Sequence, residues 1–128
     1  NPMHVKRYRV TLTTNSSGDA TGYTDDVGSG GEVKQILYTK TDFADTVDPI
    51  VSTETTGVII WDEDNPTTSV LRAPRQATHL NTSGAAALYA GGGSAVLAPI
   101  VVANERIKVL VANGGDTKTG TFDIWIGG

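Results

Sequence analysis

Apolar and polar side chains alternate with a period of two through most of this chain, most clearly near its end. In Arg106-Ile107-Lys108-Val109-Leu110-Val111 the residues Ile107, Val109 and Val111 fall on one face of a strand. After Asn113-Gly114-Gly115-Asp116, Phe122, Ile124 and Ile126 do the same. Alternation on both sides of a Gly-rich turn is the mark of a half-buried antiparallel pair, so residues 105–126 are expected to form one β-hairpin.

Similar patterns run upstream. Val5 to Thr14 reads as the first strand, with Tyr8, Val10 and Leu12 on a common face, followed by the turn cluster Asn15-Ser16-Ser17-Gly18-Asp19. A polar strand over 20–27 ends in Gly28-Ser29-Gly30-Gly31. In the next strand, 32–40, Val33, Gln35 and Leu37 alternate with Lys34, Ile36 and Tyr38. Apolar residues on both sides predict a central position or a subunit contact.

A strand over 47–55 carries Pro49, which has no N–H to donate, so it is placed at an edge or begins after the proline. The unbroken run Val58-Ile59-Ile60-Trp61 predicts a strand buried on both faces. Residues 62–68 read as a loop and 69–75 as a short extended segment. Residues 76–84 show no period, and Ala85-Ala86-Ala87-Leu88-Tyr89-Ala90, between glycines, predicts a short strand or a loop on the sandwich. Residues 96–103 are broken by Pro99. The sum is eight or nine strands and no helix. The expected fold is all-β, a two-sheet antiparallel β-sandwich of jelly-roll type, with residues 1–128 as a single domain behind a short N-terminal arm of about five residues.

Composition sharpens this picture. The chain has 128 residues, 38% of them hydrophobic, and 15 glycines, which suits strands with one buried face and many turns. Ten basic residues stand against 14 acidic ones, a net charge of −4, which argues against a nucleic-acid partner. The one basic cluster is His4-Val5-Lys6-Arg7-Tyr8-Arg9 on the first strand. Its charges either discourage edge pairing or form a docking arm for an acidic protein surface. There is no cysteine, hence no disulfide framework. No apolar run approaches the roughly 20 residues of a membrane helix, and no signal-peptide core opens the chain, so a soluble, non-secreted protein without a membrane partner is expected.

Candidate chemistry is sparse. The two histidines are His4 and His79, and Gly91-Gly92-Gly93-Ser94-Ala95 lacks the second glycine of a nucleophile elbow. No glycine cluster has the spacing of a phosphate-binding loop. Calcium is the reasonable metal question, with Asp62-Glu63-Asp64-Asn65 or Asp42, Asp45 and Asp48 as oxygen donors, although neither matches a known loop pattern. No catalytic residue, cofactor or metal is therefore assigned, and an enzyme is not expected. Trp61 reads as core. Trp125 falls opposite Phe122, Ile124 and Ile126, and a subunit contact accounts for it better than solvent.

Several stretches resemble a family of small tailed-bacteriophage virion proteins of the head-decoration, or capsid-cement, type. They are Tyr8-Arg9-Val10-Thr11-Leu12-Thr13-Thr14, Lys40-Thr41-Asp42-Phe43-Ala44-Asp45-Thr46-Val47-Asp48, Thr53-Glu54-Thr55-Thr56-Gly57 and Ala73-Pro74-Arg75-Gln76-Ala77-Thr78-His79. Val102-Ala103-Asn104-Glu105-Arg106-Ile107-Lys108-Val109 and Lys118-Thr119-Gly120-Thr121-Phe122 complete the likeness. It covers most of the chain by general character, without a site signature.

The resemblance implies a jelly-roll-like subunit, commonly trimeric, that clamps the major capsid protein on the phage head after assembly in the host cytoplasm. Residues 1–9, 42–48 and 62–68 are the candidate shell contacts, and the individual interface candidates are Lys6, Arg7, Arg9, Phe43, Asp45, Arg72, Arg75 and Trp125. The same resemblance permits a tail or head–tail junction protein. A carbohydrate-binding or receptor-binding β-sandwich is the alternative from another class.

Overall fold

The computed structural model describes residues 4–77 and 97–128. The expectations for His79, for the alanine-rich stretch 85–90 and for the glycines at 91–93 lie outside the described residues, as do residues 1–3 of the arm.

Among the described residues there are eleven strands and no helix: β1 (Val5–Thr13), β2 (Ala20–Tyr23), β3 (Gly31–Lys40), β4 (Asp48–Thr53), β5 (Ile59–Asp62), β6 (Val70–Arg72), β7 (Arg75–Ala77), β8 (Leu97–Pro99), β9 (Val101–Val102), β10 (Ile107–Ala112) and β11 (Thr119–Gly127). One sheet runs β1-β11-β3-β6, with β9 against the start of β3; the other runs β2-β10-β4-β5. β7 and β8 form a separate ribbon, and every pairing is antiparallel. The protein is an all-β, two-sheet antiparallel sandwich. The excess over the expected eight or nine strands lies in short elements: the segment expected over 69–75 is represented by β6 and β7, and the stretch expected over 96–103 by β8 and β9.

The pairings are nested. β1 pairs with β11, β2 with β10, β3 with β6 and β4 with β5, so the chain folds back on itself from its ends inward. One core lies between the sheets. Tyr8, Val10, Leu12, Val33, Ile36, Tyr38, Phe122, Ile124 and Ile126 come from the first sheet, and Val51, Ile60, Trp61, Ile107, Val109 and Val111 from the second. Tyr38 is its aromatic centre, with Phe122 at 5.2 Å, Trp61 at 5.8 Å and Phe43 at 6.3 Å between ring centroids.

The expected hairpin over 105–126 does not form. β10 pairs with β2 and β4, whereas β11 pairs with β1 and β3. The alternation was real, but the two apolar faces meet across the core instead of side by side in one sheet. The linking segment crosses between sheets, with Gly114 N–H donating to the Gly18 carbonyl (2.9 Å) and Thr14 N–H to the Lys118 carbonyl (2.8 Å).

Three further expectations change. Pro49 lies within β4, an interior strand, and not at an edge: β5 ends opposite Ile50, so at Pro49 the strand has a neighbour on one side alone. β5 is itself an edge strand rather than doubly buried, with Ile59 53% exposed. A register shift opposite Val51 and Ser52 lets the consecutive Ile60 and Trp61 both reach the core. β3 is central, as one reading of its two apolar sides required. A bulge leaves Lys34 without a partner between Gln35 and Val33, and turns Val33 onto the core face with Ile36 and Tyr38.

Candidate protein-interaction face

Because Phe122, Ile124 and Ile126 point inward, Thr121, Asp123 and Trp125 of β11 must point outward. Register then assembles the outer face of the five-stranded sheet. Arg9 of β1 lies opposite Asp123 and Arg7 opposite Trp125. On the other side Leu37 and Gln35 of β3 face the same two residues, and Leu71 of β6 faces Leu37. Toward the far end the face is hydroxylated, with Thr11 and Thr121 3.2 Å apart and Thr13 and Thr119 likewise.

Asp123 is the unusual member. It sits on an outer face yet is only 2% exposed. Arg9 holds it through two bonds, Nε to Oδ1 at 2.7 Å and Nη2 to Oδ2 at 3.2 Å, and Arg7 Nε stands 3.9 Å from Oδ1. Hydrogen bonding to Asp123, and then its charge, raise the Arg9 guanidinium above its ordinary pKa. Fork-on-carboxylate geometry of this kind fixes both side chains and leaves Arg7 with the weaker share.

The sequence-derived candidates divide accordingly. Arg7, Arg9 and Trp125 are brought together on this face. Lys6 is exposed but lies on the opposite side of β1, with Nζ 4.9 Å from the Tyr8 ring centroid. Arg72 lies on the far edge strand and is bound to Glu63 through Nε–Oε1 (2.9 Å) and Nη2–Oε2 (3.1 Å). That hydrogen bond lowers the Glu63 carboxyl; burial opposes it, and the Arg72 charge reinforces it. Arg75 is exposed on β7 and donates to the neighbouring Pro74 carbonyl. Asp45 is exposed and paired with Lys40.

Phe43 is a correction. It is buried, stacked against Tyr38, and offers nothing to a partner. Its loop folds inward because Ala44 N–H donates to the Gly114 carbonyl and Asp42 N–H to the Thr119 carbonyl.

Three members of the face were missed. Asp123 between Phe122 and Ile124 could have been read as outward from the alternation alone, but only register reveals Arg9 as its partner. Leu37 and Leu71 look like core in sequence, and Leu71 is in fact 56% exposed.

Of the carboxylates considered for calcium, those of Asp42, Asp45 and Asp48 are engaged separately. Asp42 Oδ1 accepts from Thr119 N–H, Asp45 pairs with Lys40, and Asp48 accepts from Asn113 Nδ2 (2.8 Å). Among the described residues no group of three potential ligands gathers to hold a metal. No helix among them is long and apolar enough to cross a membrane. No protein-family model matches the chain, and no curated protein matches its sequence.

Proposed function

We propose that this protein is a structural virion protein of a tailed bacteriophage, a head-decoration subunit that binds the major capsid protein as a symmetric oligomer, with a trimer favoured. The observation that carries the reading is the outer face just described, where Arg7, Arg9 and Trp125 surround the sequestered Asp123. Arginine and tryptophan are the side chains that most often anchor protein–protein contacts, and here the buried Asp123 carboxylate holds Arg9 in place. The nested strand pairing supports a jelly-roll subunit, in keeping with the sequence resemblance.

Such a protein acts by mass action. Bound to the expanded shell but not to an opened one, it stabilises the closed state by a free energy that grows with the logarithm of its concentration over Kd. The test is co-sedimentation with purified expanded heads that lack the protein, alongside light scattering of the free protein. Saturable binding, a symmetric oligomer and a raised head-disruption temperature are expected. A monomer at tens of micromolar with no affinity for heads overturns the reading. Images of virions that place the copies on the tail or the head–tail junction overturn the assignment to the head.

A further inference from the structure

β1 is the last strand of its sheet, and among the described residues nothing pairs with its other edge. Along the second half of β1 the gap between the sheets is closed by β2. A Cβ at Gly22 would stand 2.5 Å from Leu12 Cδ2 and 3.0 Å from Val10 Cγ1, so only glycine lets β2 approach this closely. Beyond Tyr23 the chain stays on β10, where Thr24 N–H donates to the Ile107 carbonyl (2.9 Å) and Thr24 Oγ1 accepts from Ile107 N–H (3.0 Å). The gap then opens into a cleft of about 170 Å³ between Lys6–Arg9 on one wall and Tyr23–Asp25 on the other.

Three of the four residues on the β1 wall are cationic. Among the described residues Lys6 has no carboxylate within ion-pair distance, and Arg7 has only the distant share of Asp123. Among the described residues Asp25 is the one acidic residue lining the cleft. A second copy of this chain cannot use the edge well. Two β1 strands paired antiparallel about Arg7 would set that arginine opposite its own equivalent, and paired about Tyr8 would set Arg7 opposite Arg9; like charges across a strand pair repel.

We propose that the open edge of β1 from Val5 to Arg9 is a docking site for an extended acidic segment of another protein, which adds to the sheet as a further strand. Main-chain bonds to the free edge supply affinity, and alternate side chains supply selection. Arg7 and Arg9 share the outer face two residues apart, roughly 6.6–6.8 Å along the strand, so the occupant carries carboxylates two residues apart. Lys6, on the other face, adds a positive charge over the cleft. The inference deepens the shell-binding reading by naming the chemistry of the contact, and it is tested without capsids so that either can fail alone.

The probe is a fluorescein-labelled ten-residue peptide alternating Asp and Val, with a twin in which Lys replaces Asp. Anisotropy at low salt should show the Asp peptide binding roughly tenfold or more tightly than its twin, with the preference shrinking as salt rises. Amides of β1 should gain protection from hydrogen exchange. Lys6→Glu with Arg7→Glu should reverse the preference; Arg9 is left intact because it holds Asp123. If that variant melts early, Lys6→Gln with Arg7→Gln should abolish the preference instead. Equal binding of the two peptides, no binding up to about millimolar, or protection confined to other strands overturns the proposal.

Discussion

Phe43 lies flat against Gly120: a Cβ at position 120 would fall on the ring at Cε2 and only 2.7 Å from Cδ2. Gly120 is on the inward face of β11, opposite Leu12, so the absence of a side chain there makes the space that the ring fills. Gly120→Val should therefore cost about 1–3 kcal/mol through overpacking, measured by denaturant unfolding. Combining it with Phe43→Leu should recover part of the loss, because the two sites share one volume.

Tyr38 places a fully buried hydroxyl at the centre of the core, with no hydrogen-bond partner among the described residues. Burial pushes its phenol up to about 12 from an ordinary 10.0. The folded state thus holds this proton more tightly than the unfolded chain does. The associated stability is complete below pH 10 and is lost as pH rises from 10 toward 12. Tyr38→Phe should be neutral or stabilising by up to about 1 kcal/mol at pH 7, since it removes an unsatisfied polar group. It should also soften alkaline unfolding relative to the parent protein, followed by circular dichroism.

Glu105 anchors the 54–57 turn. Its Oε1 accepts from the N–H groups of Thr55 (2.7 Å) and Thr56 (3.1 Å), and its Oε2 from the Thr56 hydroxyl (2.9 Å). Burial raises this carboxyl, but the bonds from Thr56 and Thr55 together outweigh it and hold the group below the usual carboxylate range. A depressed folded pKa gives stability that is present above the unfolded value and lost as pH falls through the folded one. Glu105→Gln should be less stable at pH 7 and should lose less on acidification. Melting temperatures between pH 7 and pH 3 read both effects.

How much of this was legible beforehand differs by level. The alternation in β1, β10 and β11 located the core faces, because burial of one side writes itself into every second residue. Partnership was not written there. Ile107, Val109 and Val111 are equally apolar whether their neighbour is β11 or β4, and a turn rich in Gly and Asn serves a hairpin and a sheet crossing alike. The bulge at Lys34 defeated strict alternation, since one extra residue moves Val33 to the other face. Phe43 looked exposed because it stands in a polar loop, and only Gly120, far along the chain, explains where the ring goes. The basic residues of the interaction face were visible; Asp123, which organises them, required the register.

The two tryptophans separate folding from recognition. Trp61 is buried against Tyr38 and Phe122. Trp125 is half-buried on the outer face between Arg7 and Gln35. Trp61→Ala removes core volume and should cost about 3–5 kcal/mol. Trp125→Ala empties no part of the core, so its loss of stability should be much smaller, while oligomerisation or binding to heads should weaken about tenfold or more if this ring anchors the contact. Paired unfolding and co-sedimentation measurements on the two variants check the contrast. A Trp125→Ala protein that assembles and binds heads like the parent would remove this face from the proposed interface.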